Sequence, residues 1–169
     1  ENFKPFGFYN EIDFNYKKIK YNKNMILNGY FQSEKYFLDF KKEIIDLFVI
    51  SGEDVNLIND YLPVGKPITS VHVRRGDYLK HTDVYCLCDV DYYKKSMELV
   101  GDSFFIFISD DIDWCKENFG KNSNCFFPNF NDDVLDFTLM TICYNNIISN
   151  STFSWWGSYL NKKSKVYAP

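Results

Sequence analysis

The run "FFIFIS", Phe104–Ser109, is apolar at every position but the last. A strand with one wet face alternates apolar and polar residues. An unbroken run therefore reads as a strand covered on both faces, the habit of parallel sheets held between helix layers. From Pro67 onward the surrounding sequence repeats the theme, with short apolar runs alternating with amphipathic segments as in consecutive βαβ units. Strands are expected at Ile68–Arg74, Phe104–Ser109, Cys125–Phe127, Ile147–Ser149 and Lys165–Tyr167. Helices are expected at Tyr92–Val100, Asp113–Phe119, Val134–Tyr144 and Ser154–Leu160, with Leu135, Leu139, Ile142 and Cys143 of the third in the core. The expected fold is α/β, a Rossmann-like parallel sheet flanked by helices.

Upstream, Phe37, Phe40, Ile44, Leu47 and Phe48 recur at helical spacing and predict an amphipathic helix that stops near Ser51-Gly52. Pro63, Gly65 and Pro67 mark a turn and the best boundary, dividing residues 1–62 from residues 63–169. No period is sustained before Asn28, where loops and one short strand are expected.

With 46% hydrophobic and 20% aromatic residues, the 169-residue chain has no signature of disorder and is long enough to bury a substantial core. Its net charge of -4 argues against broad electrostatic binding to nucleic acid, which needs a clustered basic surface, so its arginines are local tools. Cys86, Cys88, Cys115, Cys125 and Cys143 are odd in number and contain no C-x-x-C pair. Neither a disulfide framework nor a zinc knuckle is indicated; reduced, mostly buried thiols are expected, which favours a cytoplasmic setting. No apolar stretch approaches the ~20 residues that span a bilayer, and no signal-peptide pattern opens the chain. Peripheral association with a membrane stays open.

The chemistry concentrates after the first core strand, in "VHVRRGDY", Val71–Tyr78. Side chains alternate along a strand, so if Val71 and Val73 face the core, His72 and Arg74 project together at its carboxyl end. Ligands of open α/β sheets bind outside those ends. The Arg74 guanidinium is a rigid, permanently charged fork that matches phosphate oxygens, whereas Arg75 points the other way and is expected to be a structural ion-pair partner. Gly76 lets the backbone turn, and Asp77 and Tyr78 lie where a loop brings them back to the site. In "SNSTFSWWGSYL", Ser149–Leu160, an apolar strand leads into a helix. The hydroxyls of Ser151, Thr152 and Ser154 and the first backbone amides then form an anion site, or serve as ordinary caps.

Together these stretches resemble the α-1,2-fucosyltransferases, a family that uses GDP-fucose on a two-domain GT-B fold. The resemblance rests on "GYFQSEKYF" (Gly29–Phe37), "VHVRRGDY", "FISDDIDWCKENF" (Phe107–Phe119), "DVLDFTLMTICYNNIISNSTFSWWGSYLN" (Asp133–Asn161) and "KVYAP" (Lys165–Pro169), in the family's order. It implies an inverting transfer of fucose from GDP-fucose to a galactoside hydroxyl in α-1,2 linkage. Arg74 would be the catalytic cation, facing Ser151, Thr152 and Ser154 across the diphosphate, with Phe153 packed nearby and His72 bonding base or phosphate.

The same resemblance implies that an acid after "FIS" accepts from the guanine edge, with Asp111 or Asp110 in that role, although either also suits a helix N-cap. Asp136 would orient Arg74 or Arg75. No residue stands out as the general base; Asp77 is a candidate, and a base outside these residues is the alternative. The family opens with a glycine-rich signature and a longer acceptor domain, neither of which precedes Glu1. Residues 63–169 are accordingly expected to be the donor-binding half of a GT-B fold, and residues 1–62 a remnant of the acceptor side with a connecting helix. A silent GDP-sugar-binding fragment is the alternative.

Asp89-Val90-Asp91 and Asp111-Ile112-Asp113 raise a rival, a metal-dependent transferase of the GT-A type. No histidine backs either pattern, since His81 lies in a polar loop, and 23 acidic residues make such spacings common. No cofactor and no metal are expected, with GDP-fucose and a glycan acceptor as the partners.

Overall fold

The computed structural model describes residues 7–20, 22–128 and 130–169. The chain divides into two compact units, Glu1–Val49 and Ile50–Pro169. In the first, β1 (Gly7–Asn10) and β2 (Met25–Asn28) pair in parallel, two strands where one was expected. The part of that expectation covering residues 1–6 and Tyr21 lies outside the described residues. The amphipathic segment after it is two single 3-10 turns, Glu34–Tyr36 and Leu38–Phe40, followed by α1 (Lys41–Leu47).

The second unit opens with a helix the periodicity did not reveal, α2 (Gly52–Tyr61). Ser51-Gly52 reads as a glycine stop, but Ser51 is an N-cap whose Oγ accepts the Glu53 amide at 3.1 Å. Glu53 and Asp54 in the first turn suit the positive end of the helix dipole, and Ile58 is fully buried.

Five parallel strands follow: β3 (Ile68–Val73), β4 (Phe104–Ser109), β5 (Cys125–Phe126), β6 (Asn145–Ile147) and β7 (Lys165–Tyr167), in the order β5-β4-β3-β6-β7. Helices α3 (Val90–Val100), α4 (Ile112–Phe119), α5 (Asp133–Ile142) and α6 (Thr152–Leu160) make the crossovers. The expected Rossmann-like sheet is present. "FFIFIS" feeds both faces, with Phe105 and Phe107 packing on Val71, Val73, Tyr93 and Phe119, and Ile106 and Ile108 on Ile58, Leu135 and Leu139. Among the described residues no helix is long and apolar enough to cross a membrane.

Three local expectations shift. Strand β6 starts two residues before Ile147, on Asn145 and Asn146, whose amides are satisfied in the dry interior. Asn145 donates to Thr69 Oγ1 at 3.1 Å; Asn146 accepts from Ser70 Oγ and donates to Ser164 Oγ at 3.0 Å. Helix α5 ends at Ile142, which is 36% exposed rather than core. All five cysteines are free, but only Cys115 and Cys143 are fully buried and Cys86 is exposed.

Helices α5 and α6 meet at Gly157, where a Cβ would stand 2.9 Å from Met140 Cβ and 3.0 Å from its sulfur. Gly157→Val should therefore lower stability by about 2–3 kcal/mol, because the overpacking outweighs a propensity gain of under ~1 kcal/mol. A thermal melt should show Tm falling by roughly 5–10 °C; an unchanged Tm contradicts the contact.

Candidate functional site

The strand order reverses between β3 and β6, where ligands of such sheets bind beyond the carboxyl ends. Register carries side chains across that line. Val71 pairs with Ile147, so Arg74 and Asn150 both stand three residues farther on. On the other side Val73 pairs with Ser109, which brings Asp110 beside Arg74.

The two arginines part company. Arg75 turns onto Trp114, with its guanidinium 4.2 Å from the ring centroid and its Nε donating to Asp111 Oδ2 at 3.0 Å. Asp111 is also the N-cap of α4, accepting the Trp114 amide at 3.3 Å. Arg74 stays at the mouth of the sheet, its Nη2 2.8 Å from Asp77 Oδ1, its Nη1 3.1 Å from Asp110 Oδ2, and its guanidinium over the Tyr78 ring. Asp110 further accepts the Arg75 amide at 2.9 Å. It presses on the turn at Gly76, where a Cβ would meet Asp110 Oδ2 at 2.6 Å. A side chain at that position would have to push the Asp110 carboxylate aside.

Two residues before Arg74 on the same strand, His72 is buried and reaches the β6 side, its Nδ1 2.9 Å from Ser149 Oγ and its ring 5.4 Å from that of Phe153. Burial pushes the imidazole down to about 4, against the pull of Asp110 and aided by Arg74, so it is neutral near pH 7. Tyr78 donates to the Asn150 carbonyl at 3.2 Å and stacks on Tyr85 at 4.1 Å, while Asn150 Nδ2 donates to the Cys86 carbonyl at 2.6 Å. These bonds tie the loop after β3 to the turn that starts α6.

At that turn Ser151 is the N-cap residue by position, yet its side chain makes no capping bond. The Thr152, Phe153 and Ser154 amides have no hydrogen-bond partner among the described residues. Thr152 is exposed and Phe153 half-buried. Ser154 is fully buried and spends its hydroxyl on the carbonyls of Ser149 (3.3 Å) and Ser151 (3.2 Å), so only its amide is left for a ligand.

Asp136 does not orient either arginine, since both are held by Asp77, Asp110 and Asp111. Its carboxyl is half-buried and raised to about 6 by burial, with Asp133 and Asp132 adding to the effect. It precedes Met140, which packs on Gly157, by one helical turn, and the adjacent Phe137 ring lies 5.5 Å from that of Phe153. Helix α5 therefore runs alongside α6, with Phe137 near the start of α6 and Met140 farther along it. Sequence reasoning passed over Ser149, Asn150 and Trp114, all inside the quoted motifs; Trp114, three residues after the Asp111 cap, was the most legible. The leading aspartates of both D-x-D patterns, Asp89 and Asp111, cap α3 and α4. Among the described residues no group of three or more His, Cys, Asp or Glu side chains is placed to hold a metal ion.

The sequence pattern of Glycosyl transferase family 11 matches residues 6–168. The O-antigen biosynthesis glycosyltransferase WbnK of Escherichia coli is 33% identical over 85% of this chain and 53% of its own length. An alpha-1,2-colitosyltransferase of Escherichia coli is 34% identical over 78% of this chain and 50% of its own. The galactoside 2-alpha-L-fucosyltransferase SEC1 of Bos taurus is 28% identical over 83% and 43%. The chain thus spans about half the length of the relatives it matches. No solved structure matches it.

The depressed His72 titration has a stability signature. Unfolded, the imidazole takes a proton near 6.5; folded, it stays neutral down to about 4. The unfolded state binds more protons in that window, so this contribution is complete above it and is lost as pH falls, at up to about 1.4 kcal/mol per pH unit. Asp136 works the opposite way, holding its proton in the fold up to about 6 and giving up stability as pH rises. Comparing wild type with His72→Asn cancels Asp136. Between pH 7 and pH 5, urea unfolding should show their stability gap narrowing by about 1–2 kcal/mol; a constant gap contradicts a buried neutral imidazole.

Proposed function

Because the chain belongs to glycosyl transferase family 11, we propose that it binds GDP-fucose beyond β3 and β6 and passes the fucose to a galactoside hydroxyl, with inversion, in α-1,2 linkage. One observation carries the reading. A permanently charged fork, Arg74, stands across the strand-order reversal from a helix start whose first amides have no partner among the described residues. As the acceptor oxygen attacks the anomeric carbon, the bond from that carbon to the β-phosphate oxygen breaks and negative charge gathers on the departing diphosphate. Arg74 and the α6 amides complement that charge more strongly than the ground state. They take the neutralising part that a metal plays in other transferases, so transfer should survive a chelator.

For the base, the assignment moves from Asp110 and Asp111, which the arginines and the α4 cap engage, to Asp136. A half-buried carboxylate free of arginine can accept two N–H bonds from the guanine edge, and its position next to Phe137, near the start of α6, supports this. His72 and Phe153 would line the same wall. A second reading has its own support, because the chain spans about half the length of its relatives: a domain that binds the nucleotide sugar without turnover.

Calorimetry with GDP and consumption of GDP-fucose on a β-galactoside separate the two, since binding without turnover selects the second. Removing one transition-state donor typically costs about 10²- to 10³-fold in rate. Arg74→Ala should lose transfer at least that far with Tm held, and an active Arg74→Ala refutes the role. Arg75→Ala should act through the fold, losing roughly 1–3 kcal/mol with its ring contact and charge-assisted bond. Asp136→Ala should weaken GDP by about tenfold, one lost charge-assisted pair, and leave inorganic diphosphate binding unchanged.

A further inference from the structure

Both terminal nitrogens of the Arg74 fork, the pair that would grip a phosphate side by side, are committed to carboxylates: Nη2 to Asp77 and Nη1 to Asp110. Two arginine charges face three aspartate charges here, from Asp77, Asp110 and Asp111, so an entering diphosphate meets a local surplus of negative charge. One carboxylate must give way. Asp110 is fixed, because its Oδ1 holds the Arg75 amide at 2.9 Å, its Oδ2 lies against the Gly76 turn, and its side chain is only 27% exposed. Asp77 opens the short 3-10 turn Asp77–Lys80, is 54% exposed, and has Arg74 as its ion-pair partner.

We infer that Asp77 is an exchangeable stand-in for the donor's phosphate: it holds the Arg74 fork in its gripping orientation and swings into solvent when a diphosphate takes its place. This rests on the donor-site reading above. The arrangement keeps the fork ordered, and it weakens donor binding by the strength of the displaced pair. It also favours ligands whose charge exceeds that of one carboxylate. No bond is made or broken in the exchange; two ion pairs trade places.

The test is GDP affinity by calorimetry on the whole chain, with a thermal melt of each variant. Asp77→Asn keeps the shape and removes the charge. It should bind GDP about three- to tenfold more tightly than wild type, the range expected for losing an exposed pair and the repulsion behind it. Asp77→Glu should return to the wild-type value. A merely structural aspartate would not yield a tighter variant. Unchanged or weaker binding by a folded Asp77→Asn, with wild type binding GDP, overturns the exchange and leaves the donor site standing. No binding by any of the proteins overturns the donor site and the exchange with it.

Discussion

Strand β6 lies beside β3 although two strands intervene in the chain, and the register of that pair governs everything at the sheet's mouth. It is fixed by polar side chains. Thr69 meets Asn145 on one face and Ser70 meets Asn146 on the other. A slip of one residue would turn each to the opposite face and leave two buried amides without partners, at roughly 1–3 kcal/mol apiece. Apolar residues alone would tolerate several registers. The correct one sets His72 against Ser149 and carries the Arg74 loop to the Asn150 turn.

Consecutive arginines at the end of β3 receive opposite assignments for the same geometric reason. Successive side chains leave a strand on opposite faces. Arg75 is 17% exposed, stacked on Trp114 and bonded to the aspartate that caps α4, so it fastens the β4–α4 turn to the end of β3. Arg74, at 36%, keeps its fork at the surface. Exchanging the two would bury the charge proposed to meet the donor and expose the one that holds a turn.

How far the sequence could be read follows the range of the interactions. "FFIFIS" announced a strand covered on both faces, and "VHVRR" a strand that sends His72 and Arg74 to one side, because burial and alternation are local patterns. The start of β6 was not legible, since Asn-Asn resembles a turn until Thr69 and Ser70, some seventy-five residues away, supply its hydrogen bonds. Helix α2 hid behind Ser51-Gly52, where a stop and a cap share one spelling. At the site, residue types were legible and partners were not. The motif placed Asp110, Asp111 and Arg74 near one another, but only the β3–β4 pairing shows the aspartates serving the arginines. Ser154 looked outward by its type, yet it is buried and its hydroxyl bonds two carbonyls of its own turn.

In the proposed donor site an acidic chain would serve a dianionic ligand because the relevant field is local, and its two sources behave differently. Backbone amides at the start of α6 carry fixed partial charges that need no counter-ion and no side-chain entropy to aim. They are always ready but individually weak. A guanidinium carries a full charge on a flexible stem, and without fixed partners it would wander through rotamers, at a cost of up to ~2 kcal/mol to order. Carboxylates at its flanks supply that order and cancel the charge they position. Where one flank is held by further contacts and the other is exposed, the guanidinium keeps its aim while one side can exchange, and Asp110 and Asp77 have those two settings. Net charge then matters little to the grip. What matters is that the opposing cation and amides are held at fixed spacing by strand register and by the Tyr78–Asn150 tie.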